Sequence, residues 1–262
     1  MTIVLIATAL YLTAAGLLAT SVSKGEDAVG RHWLGPAAGA IALHALEHAL
    51  GWRGPGGADL HFFAALSLVG LGMAALTGLY GANGRMAALG VVVFPLAAAV
   101  LLGYGLQGAE SSEQLDWRLQ LHAWLALLAY ATLAVAALLA VMLWLQERAL
   151  RRRDFHRWLR ALPPLVELEA LLFRTVAVGF VLLSATLLTG VLFVQDLLAQ
   201  HLVHKTALSV VSWLVFGGLL VGRWRRGWRG TTAVGWTLVA MALLVLGYFG
   251  SKFVLELVLR TQ

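Results

Sequence analysis

The sequence predicts an all-α polytopic membrane protein, a bundle of eight transmembrane helices. Three observations predict it. Hydrophobic residues fill 60% of the 262 positions and charged residues only 12%, about half the ionic share of an ordinary soluble domain. The mean hydropathy is +0.83. The apolar residues are gathered into runs long enough to cross about 30 Å of hydrocarbon as helix, separated by short loops that hold most of the charge.

Eight segments have this character: 3–21, 34–50, 62–79, 86–106, 122–145, 173–194, 206–222 and 233–258. The first has neither a positively charged start nor a small-residue cleavage site, so it is expected to be a retained helix rather than a cleaved signal. The second is the shortest and the most polar, because it contains His44, Glu47 and His48. Together they make 1–262 a single transmembrane domain. The 28 Gly and 10 Trp suit this reading, since Gly permits close helix contact in lipid and Trp anchors helix ends at the interface. The chain has no Cys, which excludes disulfides and thiolate chemistry.

Basic residues set the orientation. Arg148, Arg151, Arg152, Arg153, Arg157 and Arg160 follow the fifth segment, and Arg223, Arg225, Arg226 and Arg229 follow the seventh. Both loops belong on the cytoplasmic side. Alternation then puts Lys24, Arg31 and Arg85 inside, the acidic loop with Glu110, Glu113 and Asp116 outside, and both termini outside. The formal charge of +6 thus reflects membrane orientation and not nucleic-acid binding. The expected location is the inner (plasma) membrane, crossed several times. Between the fifth and sixth segments, Phe155, Trp158, Leu159 and Leu162 recur at helical spacing before Pro163 and Pro164. This predicts a short cytoplasmic interfacial helix over 154–162.

Ionisable groups at membrane depth are costly and therefore point to function. Of the eight His, six (His44, His48, His61, His122, His201 and His204) fall in or beyond the outer half. His44 and His48, four apart, share a helix face. Neutral imidazoles on separate helices can clamp a haem iron from its two sides. Arg53, Arg118 and Lys205 supply cations for propionates on that side, and Trp52, Phe62, Trp117 and Trp124 supply aromatic surface. The competing uses are a zinc site at His44, Glu47 and His48, which lacks the H-E-x-x-H order, and a solute path through His44, Glu47, Lys252 and Glu256. Lys252 and Glu256, four apart, also suit a plain ion pair. No hydrolase or nucleotide-binding motif is present, and no catalytic residue is assigned.

The stretches LHALEHALGW, LHAWLALLAYATL and PPLVELEALLFRTVAVGFVLLSATLLTG resemble the cytochrome c assembly membrane protein family, the CcsA- and CcmC-like proteins, and most of all its eight-span YpjD and HemX branch. The resemblance runs over nearly the whole chain. It implies a non-covalent, b-type haem as cofactor, with His44 matching an intramembrane ligand and His122 an external one. His48, His201 and His204 are the replacements for partners that this sequence lacks, and Arg118 and Lys205 would face propionates. The second intramembrane His of the family pattern would fall near Val221, and the segment LFVQDLLAQHLVHKT, where a tryptophan-rich loop belongs, has no Trp. The resemblance therefore implies haem binding, transfer or sensing in cytochrome maturation or haem homeostasis, without a full attachment site. The alternative is a haem-free accessory or regulatory subunit, binding a transporter or a tetrapyrrole-synthesis enzyme through its basic inner loops.

Overall fold

In hydrocarbon every backbone N–H and C=O must be satisfied within the chain, so long apolar runs fold as helices. The computed structural model describes residues 1–25, 30–52, 60–82, 85–107, 116–153, 161–193 and 200–250, apart from the side chains at 85 and 200–204. Among the described residues there are no strands. Eight helices stand where the eight segments were read: α1 (Thr2–Lys24), α2 (Leu34–Gly51), α3 (Phe62–Gly81), α4 (Gly90–Gln107), α5 (Trp117–Arg151), α6 (Leu165–Phe193), α7 (Gln200–Arg226) and α8 (Gly230–Val245). Seven are long and apolar enough to cross a membrane; α2 is the exception. Its 18 residues include His44, Glu47 and His48, so the residues that suggest function also lower its apolarity.

Helices α5, α6 and α7 extend well beyond their expected bounds, and for α5 and α6 the reason is the same. Helix formation stops at a breaker, not at the edge of the hydrocarbon. α5 runs through good helix formers to Arg151, and the chain turns at Arg153, where φ is 57°. α6 begins at Leu165, directly after Pro163 and Pro164, with Glu167 in its first turn, where a carboxylate complements the helix dipole. α8 gives way to a π-helical turn, Leu246–Gly250. Of the expected interfacial helix, residues 154–160 lie outside the described residues, as do Lys252 and Glu256.

The chain divides into two compact units, Met1–Gln114 with Arg148–Glu167, and Leu115–Glu147 with Leu168–Gln262. In the first, α1 packs on α2 and α4, and α3 on α2 and α4. Small side chains line these seams: Ala7, Ala14, Ala40, Ala64, Ala65 and Ala97 are all fully buried, and van der Waals contact at close approach is what holds helices together in lipid. Trp33, buried just before α2, packs on Phe94 of α4 at 5.9 Å.

In the second unit several polar side chains bond a neighbouring helix or their own backbone. Tyr130 of α5 donates to the Leu244 carbonyl of α8 at 2.6 Å. Ser212 of α7 donates to the Ala240 carbonyl at 2.7 Å. Trp213 of α7 donates to Ser184 of α6 at 2.8 Å and stacks on Phe180. Thr132, Thr175, Thr186 and Thr237 bond the carbonyl four residues back.

The turn from α7 to α8 depends on glycine twice. Gly227 adopts φ 65°, a left-handed conformation in which a Cβ is strained. The Trp228 indole lies directly against Gly222, so that a Cβ there would meet the ring. Gly222→Val is expected to destabilise the second unit by about 1–3 kcal/mol, visible as a lowered Tm in detergent, whereas Gly235→Ala, with open space around it, should leave Tm unchanged.

Candidate functional site

Helix periodicity puts His44 and His48 on one face of α2, and packing turns that face inward, where both are buried. An imidazole without a partner in such surroundings costs on the order of 1–3 kcal/mol. The partners come from two other helices. The Tyr11 hydroxyl of α1 lies 3.2 Å from His44 Nδ1. The Ser67 hydroxyl of α3 lies 2.8 Å from His44 Nε2 and 3.0 Å from His48 Nε2. One serine oxygen thus serves two rings. The His48 ring stacks on Tyr104 of α4 at 4.5 Å and on His44 at 5.5 Å, and His61 stacks on the same tyrosine at 5.9 Å. Both ring nitrogens of His44 are engaged within the first unit.

His122 presents the opposite arrangement in the second unit. It is half-buried on α5, and its Nδ1 lies 3.2 Å from Thr189 Oγ1 of α6. The Thr189 hydroxyl sits 2.9 Å from the Ala185 carbonyl and 3.0 Å from that of Thr186, so its proton is committed to the backbone. Its oxygen is then placed to accept from His122 Nδ1, and the Thr186 carbonyl is a second hydrogen-bond partner of the ring. An outer hydrogen bond of this kind is what orients a metal-ligating His. Gly190 is the reason the ring fits: a Cβ there would lie 3.2 Å from His122 Cε1.

The donor set suits a haem unevenly. His122 is half-buried, its ring oriented by Thr189. His44 has neither nitrogen available, and Ser67 stands on the Nε2 of both α2 rings. Arg118, one turn before His122 on α5, lies 5.6 Å from the Trp117 ring centroid and 5.9 Å from that of Phe193. That places a cation on the helix face of His122. Lys205 begins the apolar part of α7 and its carbonyl lies beside Gly247 in the π-helical turn. The side chains of His201 and His204, together with Arg53, fall outside the described residues. Glu47 is half-buried, and among the described residues no group of three His, Asp or Glu converges as a metal site.

Sequence reading assigned no role to Tyr11, Ser67 or Thr189. Ser67 is a buried hydroxyl within an apolar helix, a signal of the same kind as His44, only weaker. Glu169 lies before the sixth segment, 173–194, and likewise carried no role of its own. It is buried at the opposite end of the second unit from His122, accepting from Arg223 at 2.6 Å and from Arg229 Nε at 3.1 Å. Arg223 also donates to the Trp228 carbonyl and lies over Phe173 at 4.6 Å. This cluster ties the α7–α8 turn to α6.

The cytochrome c assembly protein family matches residues 39–259. The chain belongs to that family. The match includes both α2 histidines, Ser67, His122, Thr189 and Glu169. The inner membrane protein YpjD of Escherichia coli K12 is 36% identical over 137 residues, 52% of this chain and 52% of its own length. Protein HemX of Brevibacillus brevis is 25% identical over 131 residues, 49% of this chain and 48% of its own. The cytochrome c biogenesis protein CcsA of Prochlorococcus marinus is 27% identical over 89 residues, 33% of this chain and 28% of its own. The chain spans about half the length of the first of these relatives. No solved structure matches it. With seven membrane-capable helices and an inner-membrane relative, this member of the family is a multi-pass inner-membrane protein surrounded by lipid.

Removing the carboxylate in Glu169→Ala should cost about 1.5–3 kcal/mol, the range for hydrogen bonds to a charged group. Arg229→Gln should cost no more than about 1 kcal/mol, because that arginine is 59% exposed against 33% for Arg223. Thermal unfolding of the two variants in detergent measures the difference.

Proposed function

We propose that this chain holds haem within the bilayer and passes it on during cytochrome maturation or haem homeostasis. The haem is b-type and non-covalent, and His122 Nε2 is an axial ligand to its iron. The observation that carries this reading is the hydrogen bond between His122 Nδ1 and Thr189, the outer contact that orients a metal-ligating His. Family membership supports the same conclusion. The full proposal is one domain of eight spans, α2 included, with both termini on the outer side and the arginine-rich turns on the inner side. When bound, haem supplies an iron centre whose potential follows from its axial ligands and their hydrogen bonds.

The chain's own residues then have distinct tasks. Thr189 holds the orientation of the His122 ring. Arg118, on the same face of α5, neutralises a propionate, a task that Lys205 shares. His44, His48, His201 and His204 are the candidates for a second axial position. Residues 195–204 contain no Trp, so the reading ends at holding and transfer and includes no attachment step.

One observation supports a second reading, that of a haem-free accessory subunit with a partner on its basic inner face. Both ring nitrogens of His44 and Nε2 of His48 are bonded within their own unit, as a retained structural core requires.

Haemin titration of the purified protein in detergent separates the two. The expected result is a Soret band that shifts as haemin binds, lost in His122→Ala, with Thr189→Val weakening affinity about 10–100-fold. A colourless protein that takes up no haemin and copurifies with a stoichiometric partner supports the accessory-subunit reading instead.

A further inference from the structure

We infer that the turn from α7 to α8 is a binding site for an anionic phospholipid, with Arg225 and Arg226 on its headgroup and the exposed face of α7 along its acyl chains. The inference does not rest on the haem reading. The orientation of the chain enters only in naming the cytoplasmic leaflet as the source of the lipid.

The turn carries four arginines, Arg223, Arg225, Arg226 and Arg229. Two of them are already used. Arg223 and Arg229 meet the buried carboxylate of Glu169, at 2.6 and 3.1 Å. The start of α8 is used as well. Glu147 Oε2 of α5 lies 3.2 Å from the position that a Gly230 Cβ would take, so a carboxylate already faces the positive end of that helix.

Arg225 and Arg226 are left over. Both are exposed, and among the described residues neither meets a carboxylate. Two guanidinium groups on consecutive residues, with no anion of the chain's own, make a local excess of positive charge. A phosphate matches such a planar fork of donors bidentately. Glu169 is a positioning residue here, because it holds the turn on which these two arginines stand.

The class of anion follows from what the arginines stand on. Val221 precedes Trp224 by three residues and Arg225 by four, and Leu214 precedes Val221 by seven. All four therefore lie along one face of α7. That face is open: Leu214 is 57% exposed, Val221 52% and Trp224 81%. Arg225 lies 5.8 Å from the Trp224 ring centroid. From depth to surface the face thus presents two aliphatic side chains, an indole and a guanidinium. Hydrocarbon covers the first two, an indole suits the headgroup boundary, and the cation stands where an anionic headgroup attracts it. An acidic segment of a soluble partner would use the arginines and leave Leu214 and Val221 uncovered. A phospholipid covers all four.

The test is native mass spectrometry of the full chain in detergent, with equal amounts of phosphatidylglycerol and phosphatidylethanolamine of matched acyl chains. The parent protein should retain phosphatidylglycerol in preference. A basic residue near an anionic lipid surface contributes about fivefold in affinity, so Arg225→Gln should lower the preference by about that factor. Arg225→Gln combined with Arg226→Gln should abolish it. Arg152→Gln combined with Arg153→Gln removes two exposed arginines from the other basic loop and should leave the preference unchanged. Equal retention of the two lipids by the parent, or a preference unmoved by the paired change at 225 and 226, overturns the site. An equal loss from the paired change at 152 and 153 also overturns it, since the preference would then follow total charge. A parent protein without lipid preference that binds poly-glutamate, and loses it when 225 and 226 are changed, overturns the lipid in favour of an acidic protein partner.

Discussion

A polar side chain inside an apolar helical bundle must find its hydrogen-bond partner within the chain, because no water competes for it there. Much of the described interior follows that constraint, with the buried hydroxyls of Thr8 and Thr77 as exceptions among the described residues. Hydroxyls on α5, α6 and α8 fold back on carbonyls four residues earlier. Tyr130 and Ser212 cap α8 carbonyls from neighbouring helices. The Glu169 carboxylate is buried only because two guanidinium groups reach it. The pairings made between helices also fix where those helices touch, so the economy of polar groups doubles as a specification of packing.

The same constraint separates the histidines by chemical role. On α2, two rings and one serine close on themselves, and Tyr11 completes the set. On α5, the partner of His122 is a threonine whose proton is already committed, and the ring is only half-buried. Two imidazoles of identical chemistry thus become a structural link in one place and a candidate ligand in another. The difference lies in where the neighbouring hydroxyl sends its proton. An axial ligand of haem is an imidazole of the second kind.

Much of the architecture was legible in the sequence because helix length and bilayer thickness are locked together. All eight apolar segments contain helix, and the shared face of His44 and His48 follows from their four-residue spacing. Helix ends were less legible. Hydropathy stops at Leu145, yet α5 continues to Arg151, since charged residues are good helix formers outside the hydrocarbon. Tyr11 and Ser67 stand 33 and 23 residues from His44, and no local pattern announces contacts made across helices. Thr189 and Glu169 lie within a stretch that carried the family resemblance, but their roles depend on a hydroxyl direction and on two arginines more than fifty residues away. Arg118, expected at a propionate, rests on the rings of Trp117 and Phe193, aromatic contacts that only the α5–α6 pairing brings together.

The central claim is that one hydroxyl satisfies two buried rings. Equilibrium unfolding of Ser67→Ala in detergent measures this most directly, because alanine fits the space and removes only the shared oxygen. The account predicts a loss of about 2–4 kcal/mol, the combined cost of two hydrogen bonds lost in a buried site. A variant as stable as the parent protein would contradict it, and the imidazoles of α2 would then not depend on α3.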